Sequence, residues 1–212
     1  MALYHSARGS VNYTIVGSPT IVDGVVSGFS SGNYLSLDTT TFSSNNSFKF
    51  LVKAKLNSFA KAVFGFNQPW TNIFLARQDG VTWWFSSQTT GASQLNVKHT
   101  TQLQTSTWYY FLFSYDGNST YSIGVSTDGK NFEKTSYTSS SKMGVSSKIM
   151  LGSWTQSSYQ FDGEIDLKET YIIVNGQPWF GICPIEVKKI ILNSNEVQRL
   201  IVNGVEVWQK PS

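Results

Sequence analysis

Residues 108–132 read WYYFLFSYDGNSTYSIGVSTDGKNF: two strands joined at Asp116-Gly117-Asn118, with a second tight turn at Asp128-Gly129. Asp-Gly and Asn-bearing turns are the hairpin signal, so this stretch predicts antiparallel pairing between neighbours in sequence. The same rhythm continues on both sides. SFKFLVKAKL (Ser47–Leu56) places Phe48, Phe50, Val52, Ala54 and Leu56 on one face, with Lys49, Lys53 and Lys55 on the other. That alternation predicts a half-buried strand with a wet outer face.

Further strands are expected in VVSGFSSGNYLSL (Val25–Leu37), VFGF (Val63–Phe66), NIFLARQ (Asn72–Gln78), VTWWFSSQ (Val81–Gln88) and QLNVKH (Gln94–His99). Toward the C-terminus come KIMLGSW (Lys148–Trp154) and FDGEIDLKETYIIVNG (Phe161–Gly176). About a dozen short strands with turn signals between them point to a large antiparallel sandwich, although alternation alone leaves a closed barrel open. Composition agrees. The chain is 15% aromatic and only 14% charged, and no stretch sustains helical apolar spacing, so the fold class is all-β.

A chain of 212 residues suits one sandwich with a modest appendix. Residues 1–22 read as a linker and entry strand, 23–182 as the sandwich, and 183–212 as a small C-terminal β unit. That unit, with turns at Asn193-Ser194-Asn195 and Asn203-Gly204, predicts two or three short strands. A lone ribbon is marginal in water. The tail is therefore expected to pack on the sandwich, on a neighbouring protein or on copies of itself.

Net charge is +3 with the basic residues scattered, Lys188-Lys189 being the one tight pair after the sandwich. Nucleic-acid binding wants a concentrated basic stripe, so no nucleic acid is expected as a partner. No apolar run approaches membrane length, so no membrane insertion is expected. The single cysteine, Cys183, excludes an intrachain disulfide framework and fits folding in a reducing cytoplasm. MALYHSARGS does not read as a secretory signal, so an extracellular role is expected to need another exit, such as lysis.

The succession VVSGFSSGNYLSL, SFKFLVKAKL, WYYFLFSYDGNSTYSIGVSTDGKNF, IMLGSW and FDGEIDLKETYIIVNGQPWF resembles a laminin-G-like, concanavalin-A-like domain over about three quarters of the chain. The most specific pieces are the Trp-Tyr-Tyr strand running into Ser-Thr-Asp-Gly-Lys and the closing Phe161–Glu169 strand. Within that family the wording is most similar to domains of bacteriophage tail and baseplate proteins. The resemblance implies a jelly roll of two curved sheets, with sugars bound on the concave face or its rim loops. It also implies a virion component assembled in the host cytoplasm and released by lysis. A cell-surface glycan, other tail or baseplate subunits and further copies of the chain are then the expected partners.

Glu164-Ile165-Asp166-Leu167-Lys168-Glu169 spells the E-x-D-x-x-E pattern of laminarinase-like retaining glucanases. Their chemistry needs two carboxylates about 5–5.5 Å apart. Glu164 and Asp166 share a strand face, whereas Glu169 falls on the other face unless a bulge intervenes. Here the motif lies in the last sandwich strand and is followed by apolar Tyr171, Ile172, Ile173 and Val174. The expectation is therefore structural. Phe161, Ile165 and Leu167 are core, and the carboxylates pair or cap turns at the sheet edge. No enzymatic activity is expected; a glycan hydrolase using Glu164 and Glu169 is the alternative, and a structural adaptor without a sugar site is a second.

No cofactor is expected either. Calcium is the one candidate, through Asp23, Asp38 and Asp162 near strand ends. Asp116 and Asp128 are explained by their turns. His5 and His99 are the only histidines, and neither they nor Cys183 suggest a nucleophilic arrangement.

Sugar binding needs exposed rings in polar company. Trp70, flanked by Asn67, Gln68 and Asn72, is the leading candidate. Trp84 follows, since Trp83 and Trp84 must face opposite ways. Trp154 opens a loop holding Gln156 and Tyr159 and completes the set. Trp108, Tyr110 and Phe111 are expected in the core.

Overall fold

The computed structural model describes residues 3–8, 11–39, 42–59, 63–66, 75–79, 82–88, 94–144, 148–153, 160–187, 190–192, 195–197, 199–202 and 205–209, some strands by backbone pairing alone. Among them no helix forms. The first strands are β1 (Leu3–Arg8), β2 (Thr14–Val16), β3 (Thr20–Val22), β4 (Val25–Ser27), β5 (Tyr34–Asp38), β6 (Phe48–Leu56) and β7 (Phe64–Phe66). Next come β8 (Leu75–Asp79), β9 (Thr82–Gln88), β10 (Gln94–His99), β11 (Trp108–Tyr115), β12 (Thr120–Ser126), β13 (Glu133–Thr138) and β14 (Lys148–Leu151). The rest are β15 (Gly163–Val174), β16 (Gln177–Phe180), β17 (Ile182–Val187), β18 (Ile190–Leu192), β19 (Asn195–Val197), β20 (Arg199–Val202) and β21 (Val205–Gln209).

One sheet has the order β13-β12-β11-β6-β15-β4-β3, with β16 also paired to β15. The facing sheet is β2-β5-β14-β7, and β10-β9-β8 forms a three-stranded sheet of its own. The named ladders are all antiparallel. Among the described residues both main sheets end in unpaired edges, so the fold is an open jelly-roll sandwich and not a closed barrel. The N-terminal strands join it: β2 pairs with β5, β3 with β4, and β1 with β17.

Period-two parity builds the core. β6 sends Phe48, Phe50, Val52, Ala54 and Leu56 inward, as its sequence predicts, and β11 sends Tyr109, Phe111, Phe113 and Tyr115 to meet them. Leu35 and Leu37 of β5, with Ile149 and Leu151 of β14, close the layer from the other sheet. Each such buried Phe or Leu contributes about 1.5–3 kcal/mol. Two buried tyrosines also tie loops to the core. The Tyr115 hydroxyl donates to Ser44 O at 3.0 Å, and that of Tyr121 to Ser141 O at 3.0 Å.

The turn residues behave as their chemistry predicts. Asp116 Oδ1 accepts from the amides of Asn118, Ser119 and Thr120, and Gly117 takes φ of 85°. Asp128 Oδ1 accepts from Lys130 N and Asn131 N, and these bonds hold its carboxyl well below the usual range. The tail departs from expectation in number: besides β17, which pairs with β1, it holds two separate hairpins, β18-β19 and β20-β21.

Candidate functional site

Strand β15 comes late in the sandwich, with only β16 after it in its sheet, but it is not at the edge. It lies between β6 and β4, because the N-terminal strands β3 and β4 add on its far side. Glu164 and Asp166 stand opposite Lys55 and Lys53. The bulge that Glu169 requires is present. Asp166 pairs with Lys53 and Tyr171 with Leu51, so Leu167–Thr170 together face Val52 alone. Side chains hold it in shape: Thr170 Oγ1 donates to Asp166 O at 2.7 Å and accepts from Lys53 N at 3.2 Å. Lys168 N donates to Asp166 Oδ1 at 3.0 Å.

The bulge returns Glu169 to the side of Lys53, whose Nζ lies 2.5 Å from Glu169 Oε1 and 3.3 Å from Asp166 Oδ2. Lys55 Nζ is 2.7 Å from Glu164 Oε1, and the Tyr110 hydroxyl donates to the second oxygen of Glu169. Hydrogen bonds from Lys53 and then Tyr110 hold Glu169 below the usual glutamate range. Burial opposes the charge on Lys53, but Glu169 outweighs it and raises the amine. A glycosidase acid needs a carboxyl pushed upward so that it keeps its proton. Glu169 is pushed the other way, and all three carboxylates are committed to lysines. The motif is a cross-strand ion-pair ladder.

Trp108 and Tyr110 are not in the core. Tyr109 and Phe111 occupy the inward positions of β11, so parity sends Trp108 and Tyr110 to the outer face. There Lys53 Nζ lies 5.5 Å from the Trp108 ring centroid and 5.4 Å from that of Tyr110, and Lys55 Nζ 5.3 Å from Trp108. Nor is this face uniformly wet. Leu51, Leu112 and Tyr171 form a small buried cluster beneath Tyr110, Phe132 and Ile173. Leu51 and Leu112 interrupt the alternation of β6 and β11, a signal that was there to be read.

At Glu164 the ladder borders a cleft of about 540 Å³, within the roughly 300–1,000 Å³ typical of ligand sites. Its walls are Ser27–Phe29 at the end of β4, Asn57 just beyond β6, and Gln160–Glu164 leading into β15. Because β15 runs antiparallel to both neighbours, its start meets their ends. Asn57 N donates to Asp162 O at 2.8 Å, and Phe161 N to Gly152 O at 2.9 Å. Phe29 and Phe161 pack at 5.8 Å between centroids. Gly152 makes that possible: its φ is 83°, and a Cβ there would sit 2.0 Å from the Phe29 ring.

The polar lining is distinctive. Asp162 is exposed, Glu164 is tied to Lys55, and Gln160 Nε2 is buried with no hydrogen-bond partner. An orphaned buried donor costs about 1–3 kcal/mol and is uncommon in folded proteins. Phe29, Asn57 and Gln160 were not legible as site residues, since three distant segments meet only through strand pairing.

Trp70, Asn67, Gln68, Asn72, Trp154, Gln156 and Tyr159 lie outside the described residues. The side chain of Trp84 does too; its backbone pairs with Arg77 and Lys98. Gln160 of the cleft directly follows Tyr159 in the chain. Of the calcium candidates, Asp23 sits in the β3–β4 turn at φ 51°, Asp38 ends β5 and Asp162 lines the cleft. Among the described residues no group of three His, Cys, Asp or Glu side chains gathers to hold a metal. His99 is buried as a tie between strands, with Nδ1 accepting from Thr101 N at 3.2 Å and Nε2 donating to Glu133 O at 3.0 Å.

No family model matches the sequence, and no curated protein matches it. Solved structures share the fold. The receptor-binding domain of botulinum neurotoxin C/D mosaic serotype aligns with a TM-score of 0.56 at 11% identity, over 77% of this chain and 43% of that one. The binding domain of botulinum neurotoxin DC in complex with SialylT gives 0.54 at 10% identity, over 77% and 42%. Domain 4 of AbnA, a GH43 extracellular arabinanase from Geobacillus stearothermophilus, in complex with arabinotriose, gives 0.53 at 16%, over 85% and 82%. This chain thus spans less than half of the neurotoxin domains and most of the arabinanase domain. At such identities the likeness is one of fold.

Proposed function

We propose that this chain is a non-catalytic carbohydrate-binding module whose site is the cleft at the start of β15. The observation that carries the reading is the cleft's make-up: the half-buried Phe29 ring, packed on Phe161, beside the side chains of Asn57, Gln160, Asp162 and Glu164. Sugars present that pattern in reverse, an apolar ring face edged by hydroxyls. The same sandwich architecture in sugar- and receptor-binding domains supports the reading. The paired state of Glu164, Asp166 and Glu169 favours binding over hydrolysis.

The setting we propose is host-surface recognition by a phage tail or baseplate protein, made in the host cytoplasm and carried on the virion. Neighbouring tail subunits and further copies of the chain would supply the avidity that one weak sugar site lacks. The loops bearing Trp70 and Trp154, with Trp84 of β9, are proposed to extend the site.

A glycan array that includes host cell-wall polysaccharide, followed by titration calorimetry, tests this. Phe29→Ala and Gln160→Ala are expected to weaken binding about tenfold or more, in keeping with loss of one good contact. A blank array, or binding untouched by both substitutions, removes the cleft from the proposal. Reducing ends released by the wild type and abolished in Glu164→Gln would replace it with glycan hydrolysis.

A further inference from the structure

Charge around the cleft limits which sugars it can take. Among the described residues that line it, none is basic. The Asp162 carboxylate is exposed, and no side chain pairs with it among the described residues. Glu164 is the second carboxylate, and the adjacent cation, Lys55, is held by it at 2.7 Å. Lys55 also lies 5.3 Å from the Trp108 ring, turned to the outer face of the sheet. Two carboxylates against one committed ammonium leave the described lining net negative.

We infer that the cleft selects neutral or amino-bearing sugars and turns away sialylated and uronic acid glycans. The inference rests on the carbohydrate-binding reading and narrows it. A carboxylate such as Asp162 accepts hydrogen bonds and offers none, so it suits a sugar hydroxyl, and an ammonium better still. A sugar carboxylate brought beside it meets like charge, with no basic residue in the described lining to offset it.

Four trisaccharide-sized probes test it on the full chain: arabinotriose, the glucosamine trimer, sialyllactose and trigalacturonate. Binding is followed by calorimetry and by NMR shifts of residues lining the cleft. Arabinotriose or the glucosamine trimer is expected to perturb the cleft, with both acidic probes at least tenfold weaker. Asp162→Asn keeps shape and removes charge. It should shrink that gap severalfold and weaken the glucosamine trimer most, and raising salt should narrow the gap in the wild type. Acidic probes that bind the cleft as tightly as neutral ones overturn the inference and leave the sugar-binding reading standing. An unchanged ratio in Asp162→Asn does the same. If no probe of either class, nor any array glycan, perturbs the cleft, both fall together.

Discussion

Replacing Lys53 by Met tests whether the carboxylate ladder is structural. Lys53 Nζ sits 3.3 Å from Asp166 Oδ2, and the two side chains are only 17% and 14% exposed. At 3.3 Å and an effective dielectric constant of about 20, the attraction is about 5 kcal/mol before desolvation is subtracted. What survives when one partner of a charge-assisted hydrogen bond is removed is about 1.5–3 kcal/mol. The Glu169 contact is closer, at 2.5 Å, but that side chain is 46% exposed, and solvent screening leaves it at most about 1 kcal/mol. Contacts with the Trp108 and Tyr110 rings are worth about 0.5–1 kcal/mol each, partly kept by the Met thioether. Lys53→Met should therefore cost about 2–4 kcal/mol, read as a lower urea midpoint at unchanged slope. Asp166→Asn alone should cost about 1–2 kcal/mol, and the double variant about 1.5 kcal/mol less than the sum. A Lys53→Met protein within about 0.5 kcal/mol of wild type, or strictly additive losses, would refute a structural ladder.

Gly152→Ala forces a left-handed backbone on alanine, about 1–2 kcal/mol, and drives its Cβ into Phe29, about 1–3 kcal/mol more; urea unfolding and loss of cleft binding should register both. Asn175 turns β15 into β16 at φ 50° while its Oδ1 accepts from Ser47 N at 2.9 Å. Asn175→Ala should cost about 1–2 kcal/mol more than Asn175→Gly in the same assay, because glycine keeps the positive φ. Stability should also follow pH at both ends. Glu169 is lowered from its ordinary 4.5, chiefly by the Lys53 hydrogen bond, so its contribution is present above that value and lost as pH falls through the folded pKa. Lys53 is raised from 10.5, Glu169 overcoming the effect of burial, so its contribution is present below that value and lost as pH rises beyond. Urea midpoints of wild type should fall outside that window more steeply than those of Lys53→Met.

Much of the sandwich was legible because side-chain parity in a strand is local. Once Phe48, Phe50, Val52, Ala54 and Leu56 fall at every second position, their shared face follows from the pleat alone. The Asp116 and Asp128 turns are equally local, each carboxylate bonding amides within four residues of itself. Parity also separates Trp108 and Tyr110 from Tyr109 and Phe111, so Trp108, Tyr110 and Phe111 could not all be core: Phe111 is, while Trp108 and Tyr110 take the outer face.

The remainder depends on contacts between distant segments. Glu169 reaches Lys53 only because Leu167–Thr170 bulge opposite one residue of β6, a register set by pairing on both sides of the break. β15 became an interior strand because the chain's N-terminus returned to cover it. The cleft is put together from the ends of β4 and β6 and the start of β15. Alternation and turn chemistry thus specified the strands and their faces. Long-range register, which no short window encodes, decided that the carboxylates would be held by lysines and that a cleft would open beside them.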